Sequence, residues 1–593
     1  MSKTMQANAL TIAPATAADR EEIYRLRHEV YARELGQHAE NDGGRLTDAL
    51  DGGNHYICAR RHGRVVGFVS LTPPGSVTYS VDKYVARDRL PFEFDDRLYE
   101  VRLLTVTPST RGSRVAVLLM YAAFRWIEAH GGTRIVAIGR REVSRLYRKA
   151  GLLGTGIHVT SGAVTFEVLH ATPSDLQASL ARLEHMLARC ESEVDWQLQL
   201  GFRRPAACFH GGAFFEAIGP RCDALDRRDQ IINADVLDAW FPPSPRVTAA
   251  LHEHLPWLVG TSPPNHAEGF VAAVAEARGV RPENVLPGAG SSSLIFLALR
   301  HWLTPASRVL VLDPMYAEYV HVLQQVIGCR VDRLVLRRSD GFRVSPAALA
   351  AALERDYDLV VLVNPNSPTG QHLSREALEA VLRHAPLRTR IWIDETYLEY
   401  VGSDESLERF AASSENVIIS KSMSKVYALS GVRAAYLCAG AHQIEGLRPH
   451  SPPWAVSLPA QVAAINALDD PGYYVDRWKE THGLRRDLAR ALRSLGWSVA
   501  DSCANFVLAF LPSGGPNAAE IVARGREHGL FLRDAAGMGT GLGDRSVRVA
   551  VKDAATQRRM IDILARVVGS SFQATSPSPT SRRQSPGNVH RPT

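Results

Sequence analysis

Four short segments in the C-terminal two thirds of the sequence carry residue types suited to chemistry. Each sits at a strand end or a helix start. GAGSSS (288–293) precedes the helical run LIFLALRHWL. A Gly/Ser turn that opens a helix offers free N–H groups and hydroxyls to an anion, and the same residues also make an ordinary helix cap. NPNSPTG (364–370) follows the apolar run LVVLVN, where a proline turn is the plain alternative. DETY (394–397) follows RIWI and puts an acid at the end of a strand, which can be a structural cap. SKSMSKVYALSGVR (420–433) holds Lys425 among serines with Arg433 eight residues on; a solvated loop would look similar. In an open α/β sheet, however, ligands bind beyond the carboxyl ends of the strands.

The elements that must position these segments are legible as alternation. From about residue 229, helical stretches alternate with short apolar strands at 308–313, 359–364, 390–394 and 416–420. Strand–helix–strand alternation implies right-handed crossovers and a mostly parallel sheet. Ahead of it, apolar residues at helical spacing (Ile23, Leu26, Val30, Leu35) mark a helix over 19–37. Strand-like runs at 55–60, 64–71, 99–107, 134–139 and 163–169 combine with helical patterns at 114–129 and 142–150 into a small α/β domain. Residues 174–200 read as one more amphipathic helix, and 201–228 have no usable period.

Composition narrows the function classes. At 593 residues the chain is too long for one core. Hydrophobic residues make up 45% and charged residues 22%, as in a soluble globular protein. A net charge of +6 from 68 basic and 62 acidic residues argues against a dedicated nucleic-acid binder. The seven cysteines form no CxxC pair, so neither a zinc ribbon nor a disulfide scaffold is indicated, no metal is expected, and a reducing cytoplasm fits. The N-terminus lacks an apolar signal core and no run is long enough to span a membrane.

Taken together and in order, the four segments resemble those of fold-type I pyridoxal-phosphate aminotransferases of class I/II, over roughly 229–568. Within them the pattern is similar to the histidinol-phosphate aminotransferase branch. The resemblance implies that Lys425 holds pyridoxal 5'-phosphate as a Schiff base and shuttles a proton at the substrate's Cα. It implies that Ser422 and Arg433 grip the cofactor phosphate, with Gly290, Ser291 and Ser292 completing the cradle. Asp394 would keep the pyridine nitrogen protonated, Tyr397 would reach the phenolic oxygen, and Tyr316, rather than Tyr319, would stack on the ring. Arg548 in SVRVAV matches the family's substrate-carboxylate arginine, and Arg533 in FLRD gains a pocket role. Two positions depart from the pattern. Ser367 stands where the family has the asparagine before Pro-Thr-Gly, so Asn366 is expected to take its contact with the phenolic oxygen. Ser262-Pro263 stands where the branch has a Tyr-Pro pair whose tyrosine crosses to the neighbouring subunit.

VTPSTRGSRVAVLLMYAAFRWIEAHG (106–131) resembles the acyl-CoA pocket of Gcn5-related N-acetyltransferases, with Arg114 where the pattern has its first glycine. SRLYRKAGL (144–152) matches the family's later helix, where Tyr147 would protonate a leaving thiolate. RLRHEVYARELG (25–36) and YEVRLLTV (99–106) are also similar to autoinducer synthases and long-chain N-acyl amino acid synthases. That likeness implies Glu100 as a base toward an amine and Arg102 as a pocket cation; a strand-edge charge is the plain alternative for Glu100.

These readings lead to four expected segments: an acyltransferase-like domain (1–170), a helical linker (171–228), a pyridoxal-phosphate domain (229–569) and a disordered Ser/Pro/Arg tail (570–593). The function expected is transamination of an amino acid or amine by a homodimer, fused to an acyl-CoA N-acyltransferase-like domain, in a small-molecule biosynthetic pathway. A lyase, decarboxylase or carbon–carbon bond-forming enzyme on the same scaffold is the alternative. Neither nucleic acid nor membrane is an expected partner.

Overall fold

The computed structural model describes residues 10–573, apart from 162–163, 181–182, 204–209 and 220. Chain contacts divide the protein into two units, Met1–Pro205 and Ala206–Thr593.

The first unit is built on eight strands: β1 (Leu10–Pro14), β2 (His55–Arg61), β3 (Arg64–Thr72), β4 (Leu98–Val106), β5 (Arg134–Arg140), β6 (Leu153–Ser161), β7 (Val164–Ala171) and β8 (Val194–Trp196). They lie in the order β6-β7-β5-β4-β3-β2-β1-β8. Helix α1 (Ala17–Arg27) starts at a Thr16/Asp19 capping box, which satisfies two otherwise orphan groups. Helix α2 (Val115–Ala129) buries Leu118, Leu119, Ala122 and Ile127, and these share a core with Ile57, Val69, Leu71 and Ile135 of the sheet. The parallel strands β4 and β5 pair only from Leu98–Val101 to Arg134–Ala137. The register of β4 against β3 shifts between Phe68 and Ser70, where Leu103 takes φ 55°. Past Val101 the two strands no longer pair, and a cleft opens between them.

The segment expected as a linker over 171–228 divides between the units. Helices α3 (Pro173–Leu180) and α4 (Glu184–Glu193) and strand β8 belong to the first. Leu176, Leu187, Cys190, Leu198 and Phe202 enter its core. The helix expected over 174–200 therefore ends at Glu193, because residues 194–196 pair in parallel with β1 and form the edge of the sheet. Helical spacing in the sequence carries no sign of that distant partner. Of the tail expected over 570–593, residues 570–573 close the last helix, and 574–593 lie outside the described residues.

The second unit holds a seven-stranded sheet in the order β10-β16-β15-β14-β13-β11-β12. Strands β11 (Arg308–Asp313), β12 (Arg330–Val335), β13 (Leu359–Val363), β14 (Arg390–Asp394) and β15 (Val417–Ser422) run parallel. β16 (Ala435–Ala439) is antiparallel to both β15 and β10 (Val285–Gly288). β13 is buried at every residue, which is why it reads as an unbroken apolar run rather than an alternating one; β15 is equally buried but ends in Ser420, Lys421 and Ser422. A strand pair, β9 (Ile232–Asn233) with β19 (Leu530–Phe531), and an antiparallel sheet of β17 (Ser498–Val499), β18 (Phe506–Phe510), β21 (Ser546–Ala550) and β20 (Arg533–Asp534) complete it.

A fragment ending at residue 170 should fail to fold cooperatively, whereas one ending at 203 should melt in a single transition. The shorter one loses Leu176, Leu187, Leu198 and Phe202 from the core. Each such side chain contributes about 1.5–3 kcal/mol, so their sum is comparable to the whole margin of a small domain. Equal thermal midpoints by circular dichroism would refute this.

Candidate functional site

Register brings the sequence segments to one edge. Val363 pairs with Asp394, and Asp394 with Ser420, so NPNSPTG, DETY and SKSMSK leave adjacent parallel strands side by side. The lysines of SKSMSK meet opposite surroundings. Lys421 is buried among acids, with Glu399 at 2.7 Å and Glu395 at 3.4 Å. Those carboxylates push its pKa up against the opposing effect of burial, while burial pushes Glu395 up to about 7. Lys425 lies one helical turn on, and its Nζ donates to Asp238 Oδ1 at 2.9 Å. Burial holds Lys425 below the ordinary lysine range, and Asp238 opposes that shift without cancelling it. A second amine, Lys552, shares the field of Asp238 and Lys425, and burial brings it to about 8.

Asp394 is buried and accepts the Tyr319 hydroxyl at 2.7 Å and the Thr396 N–H at 2.9 Å. Its pKa is raised by burial. Among the described residues no lysine or arginine forms an ion pair with it. Tyr319 also accepts Trp392 Nε1 at 2.8 Å, so it is a brace for Asp394 and not a ring stacker. Tyr397 is buried edge-on to Phe506, 5.2 Å between centroids, and burial raises its phenol. Arg548 donates to Ser367 Oγ at 3.1 Å and to the Asp235 carbonyl at 3.0 Å. Its buried Nε–H has no acceptor among the described residues. Arg533 lies 3.8 Å from Asp235 Oδ1. Asn366 differs from its expected role: both its amide hydrogens are committed, to the Pro314 carbonyl at 3.0 Å and Thr369 Oγ1 at 3.1 Å. It has no free N–H for a phenolate oxygen, and Ser367 is the residue beside Arg548.

At the other end, Gly290 has φ 86°, and a Cβ there would collide with the Arg433 guanidinium. Only glycine combines that conformation with so close an approach. Ser291 and Ser292 begin helix α5 (Ser291–Trp302), where first-turn N–H groups suit a phosphate. Arg433 Nη1 donates to the Ser430 carbonyl at 3.1 Å and reaches Ser424 Oγ at 3.4 Å. Ser422 Oγ caps the following turn through the Ser424 N–H at 3.3 Å. The Ser292 hydroxyl donates to Glu318 at 2.9 Å, as does the Tyr316 hydroxyl at 2.7 Å. Ser292 therefore keeps its backbone N–H, rather than its hydroxyl hydrogen, for an anion.

In the first unit, the cleft between β4 and β5 has a polar part lined by Tyr31, Lys83, Arg102, Arg111, Gly112 and Arg140. An apolar part is lined by Leu104, Met120, Phe124, Leu152, Leu176 and Leu180. Tyr147 borders both. Its ring lies on Gly139, where a Cβ would come within 2.5 Å of Cε2, and burial pushes its phenol up to about 12. Glu100 differs from the reading as a base. It accepts the Ser80 and Val81 N–H groups at 2.8 and 2.9 Å and the Ser80 hydroxyl at 2.5 Å, and so anchors a turn. Arg102 is a cleft cation paired with Asp48. Arg114 pairs with Glu193 of α4 at 2.5 Å and does not line the cleft.

The family model for aminotransferase class I and II matches residues 238–568, more than half of the chain. The chain belongs to this family. A second model, N-acyl amino acid synthase FeeM, matches residues 22–154, within the N-terminal unit. A histidinol-phosphate aminotransferase of Moorella thermoacetica is 33% identical over 269 residues, 45% of this chain and 68% of that relative. An aromatic amino acid aminotransferase of Rhodococcus jostii is 32% identical over 294 residues, 49% of this chain and 78% of the relative. The crystal structure of histidinol-phosphate aminotransferase from Sinorhizobium meliloti in complex with pyridoxal-5'-phosphate shares the fold. It matches at TM-score 0.53 and 24% identity, covering 62% of this chain and 99% of that one.

The aminotransferase is thus pyridoxal-phosphate-dependent, and its residues fit the cofactor. A buried Asp394 with no cationic partner among the described residues suits a protonated ring nitrogen, Lys425 is a buried amine, and the Gly290–Arg433 approach forms a cradle with a fixed cation. Sequence reasoning missed Asp238, Glu318, Asp235 and Lys552. Asp235 and Asp238 lie in the stretch INADVLDAW (232–240), with no periodic signal, and only the fold brings them to the site.

Asp394→Asn should lower turnover by at least ~100-fold, the scale of a single preorganised electrostatic group; near-native turnover would reduce the acid to a cap. Asp238→Asn removes the group that raises the Lys425 pKa. The amine should then lose its proton at lower pH, and the midpoint for capture of pyridoxal phosphate by apo-protein should move down. An unchanged or higher midpoint would contradict the pairing.

Proposed function

We propose that the aminotransferase domain makes an amino acid from a 2-oxo acid, and that the N-terminal domain then acylates that same amine with an acyl thioester. The carrying observation is that both sites offer cations to a carboxylate. Arg548 keeps a buried Nε–H without an acceptor. Arg140 and Lys83 line the polar cleft with no ion pair among the described residues. An amine that also bears a carboxylate suits both.

In the C-terminal unit, bound pyridoxal phosphate supplies the electron sink for charge developed as the substrate's Cα loses its proton. Asp394, held by Tyr319 and Thr396, favours the protonated ring nitrogen. Lys425 moves the Cα proton once its own proton is released to Asp238 or solvent, which its depressed pKa favours. Tyr397 and Ser367 flank the phenolic-oxygen end, and Arg548 orients the substrate carboxylate. In the N-terminal unit the apolar pocket takes the acyl chain. The amine nitrogen attacks the thioester carbonyl; the C–N bond forms, the C–S bond breaks, and the thiolate leaves with a proton from Tyr147 that the amine replaces.

Chemistry fixes the order. An acylated nitrogen has its lone pair delocalised into the carbonyl, so it cannot enter amino transfer. Transamination must come first, and acylation draws that reversible step forward. We also propose a cytoplasmic homodimer. Exposed Leu255, Trp257 and Val259, at 50%, 61% and 72%, end the helix before Ser262 and suit a subunit contact. No described helix is long and apolar enough to cross a membrane.

Incubating the full chain with a ¹⁵N-labelled amino donor, an unlabelled 2-oxo acid and an acyl thioester should yield ¹⁵N-acyl amino acid on the oxo acid's skeleton. Acylated product carrying only the donor's skeleton would refute the order while leaving both activities standing.

A further inference from the structure

Residues 210–219 and 221–237 precede the region matched by the aminotransferase family, yet they return to its site. The Gly212 N–H donates to Asp235 Oδ2 at 3.1 Å, and Asp235 faces Arg533. The Phe214 ring meets Phe531 edge-on at 6.4 Å. His210 Nδ1 lies 3.3 Å from the Tyr316 hydroxyl oxygen, with the rings 5.7 Å apart and tilted by 32°.

Proton counting sets the direction of these contacts. The Tyr316 hydroxyl hydrogen goes to Glu318 Oε2, which also takes the Ser292 hydroxyl. The His210 contact therefore requires the hydrogen on Nδ1. Its Nε2 is 3.6 Å from Glu318, beyond hydrogen-bond distance. Burial, with Arg533, His321 and Arg433, outweighs Glu318 and holds the imidazole below its usual range, in keeping with a neutral Nδ1–H ring. Glu318 is buried, and its second oxygen has no partner among the described residues. The result is a chain from His210 through Tyr316 to Glu318 and back to Ser292.

We propose that His210 is a positioning residue of the aminotransferase site: it fixes Tyr316 through the phenolic hydroxyl and, by way of Glu318, ties the ring-facing tyrosine to the serine at the phosphate end. This rests on Tyr316 facing the cofactor ring. Tyr316 precedes a short helix, Ala317–His321, so its backbone is set while its ring is free to swing about χ1 unless held.

The test is a double-mutant cycle on the full chain, read by the pyridoxal phosphate dissociation constant in equilibrium dialysis and by the circular dichroism of bound cofactor. His210→Ala should weaken cofactor binding about threefold to tenfold, the scale of one net hydrogen bond, and alter the cofactor's dichroism. His210→Asn, which retains an N–H donor, should restore most of both. In a Tyr316→Phe background, His210→Ala should change the constant less than twofold, because the hydroxyl it acts through is gone. Full additivity in that background, or no effect of His210→Ala beside a large effect of Tyr316→Ala, would overturn the role of His210. No effect of Tyr316→Ala on affinity or dichroism would instead overturn the placement of Tyr316, and the proposal with it.

Discussion

The 2.9 Å contact between Lys425 and Asp238 is the interaction on which the site turns. A catalytic amine must be reachable as the free base near neutral pH, yet a lysine in water stays protonated. Burial lowers the cost of losing that proton, and one carboxylate keeps the ammonium form accessible. Four residues earlier in the same segment, Lys421 is locked by Glu395 and Glu399, backed by Arg278 and Glu408. That cluster fixes the loop from behind, and its carboxylates favour the ammonium form of Lys421. Two lysines in one short motif are thus given opposite chemistry by opposite surroundings.

The remaining geometry serves that contrast. Parallel pairing of β13, β14 and β15 sets three loops at one sheet edge, and the antiparallel β16 returns Arg433 toward Gly290. Asp394 is held as a buried acid by a tyrosine and a backbone N–H rather than by a cation, which leaves its charge available to the cofactor. In the N-terminal unit, two parallel strands that stop pairing at Val101 and Ala137 create the cleft, and Gly139 makes room for Tyr147 at its bend.

Much of this was legible because buried parallel strands are continuous apolar runs and their loops are short. The positions of Asp394, Lys425, Arg433 and Arg548 follow from motif and strand end. What the sequence hid is tertiary. Asp238 and His210 sit in irregular chain and acquire partners 187 and 106 residues away. Asn366 and Ser367 are neighbours whose roles depend on which side chain faces Arg548, and Glu100 gives no sign in a strand pattern that it will be enclosed by the turn at Ser80. The boundary near residue 205 was obscured because β8 is three residues long and finds its partner at the other end of the domain.

The account is tested most directly by reducing the holoenzyme with borohydride and mapping the modified peptide by mass spectrometry. The opposed environments of the buried lysines predict the pyridoxyl group on Lys425 alone. Modification of Lys421 or Lys552 in its place would contradict the assignment of the reactive amine, and with it the roles given to Asp238 and to the acidic cluster.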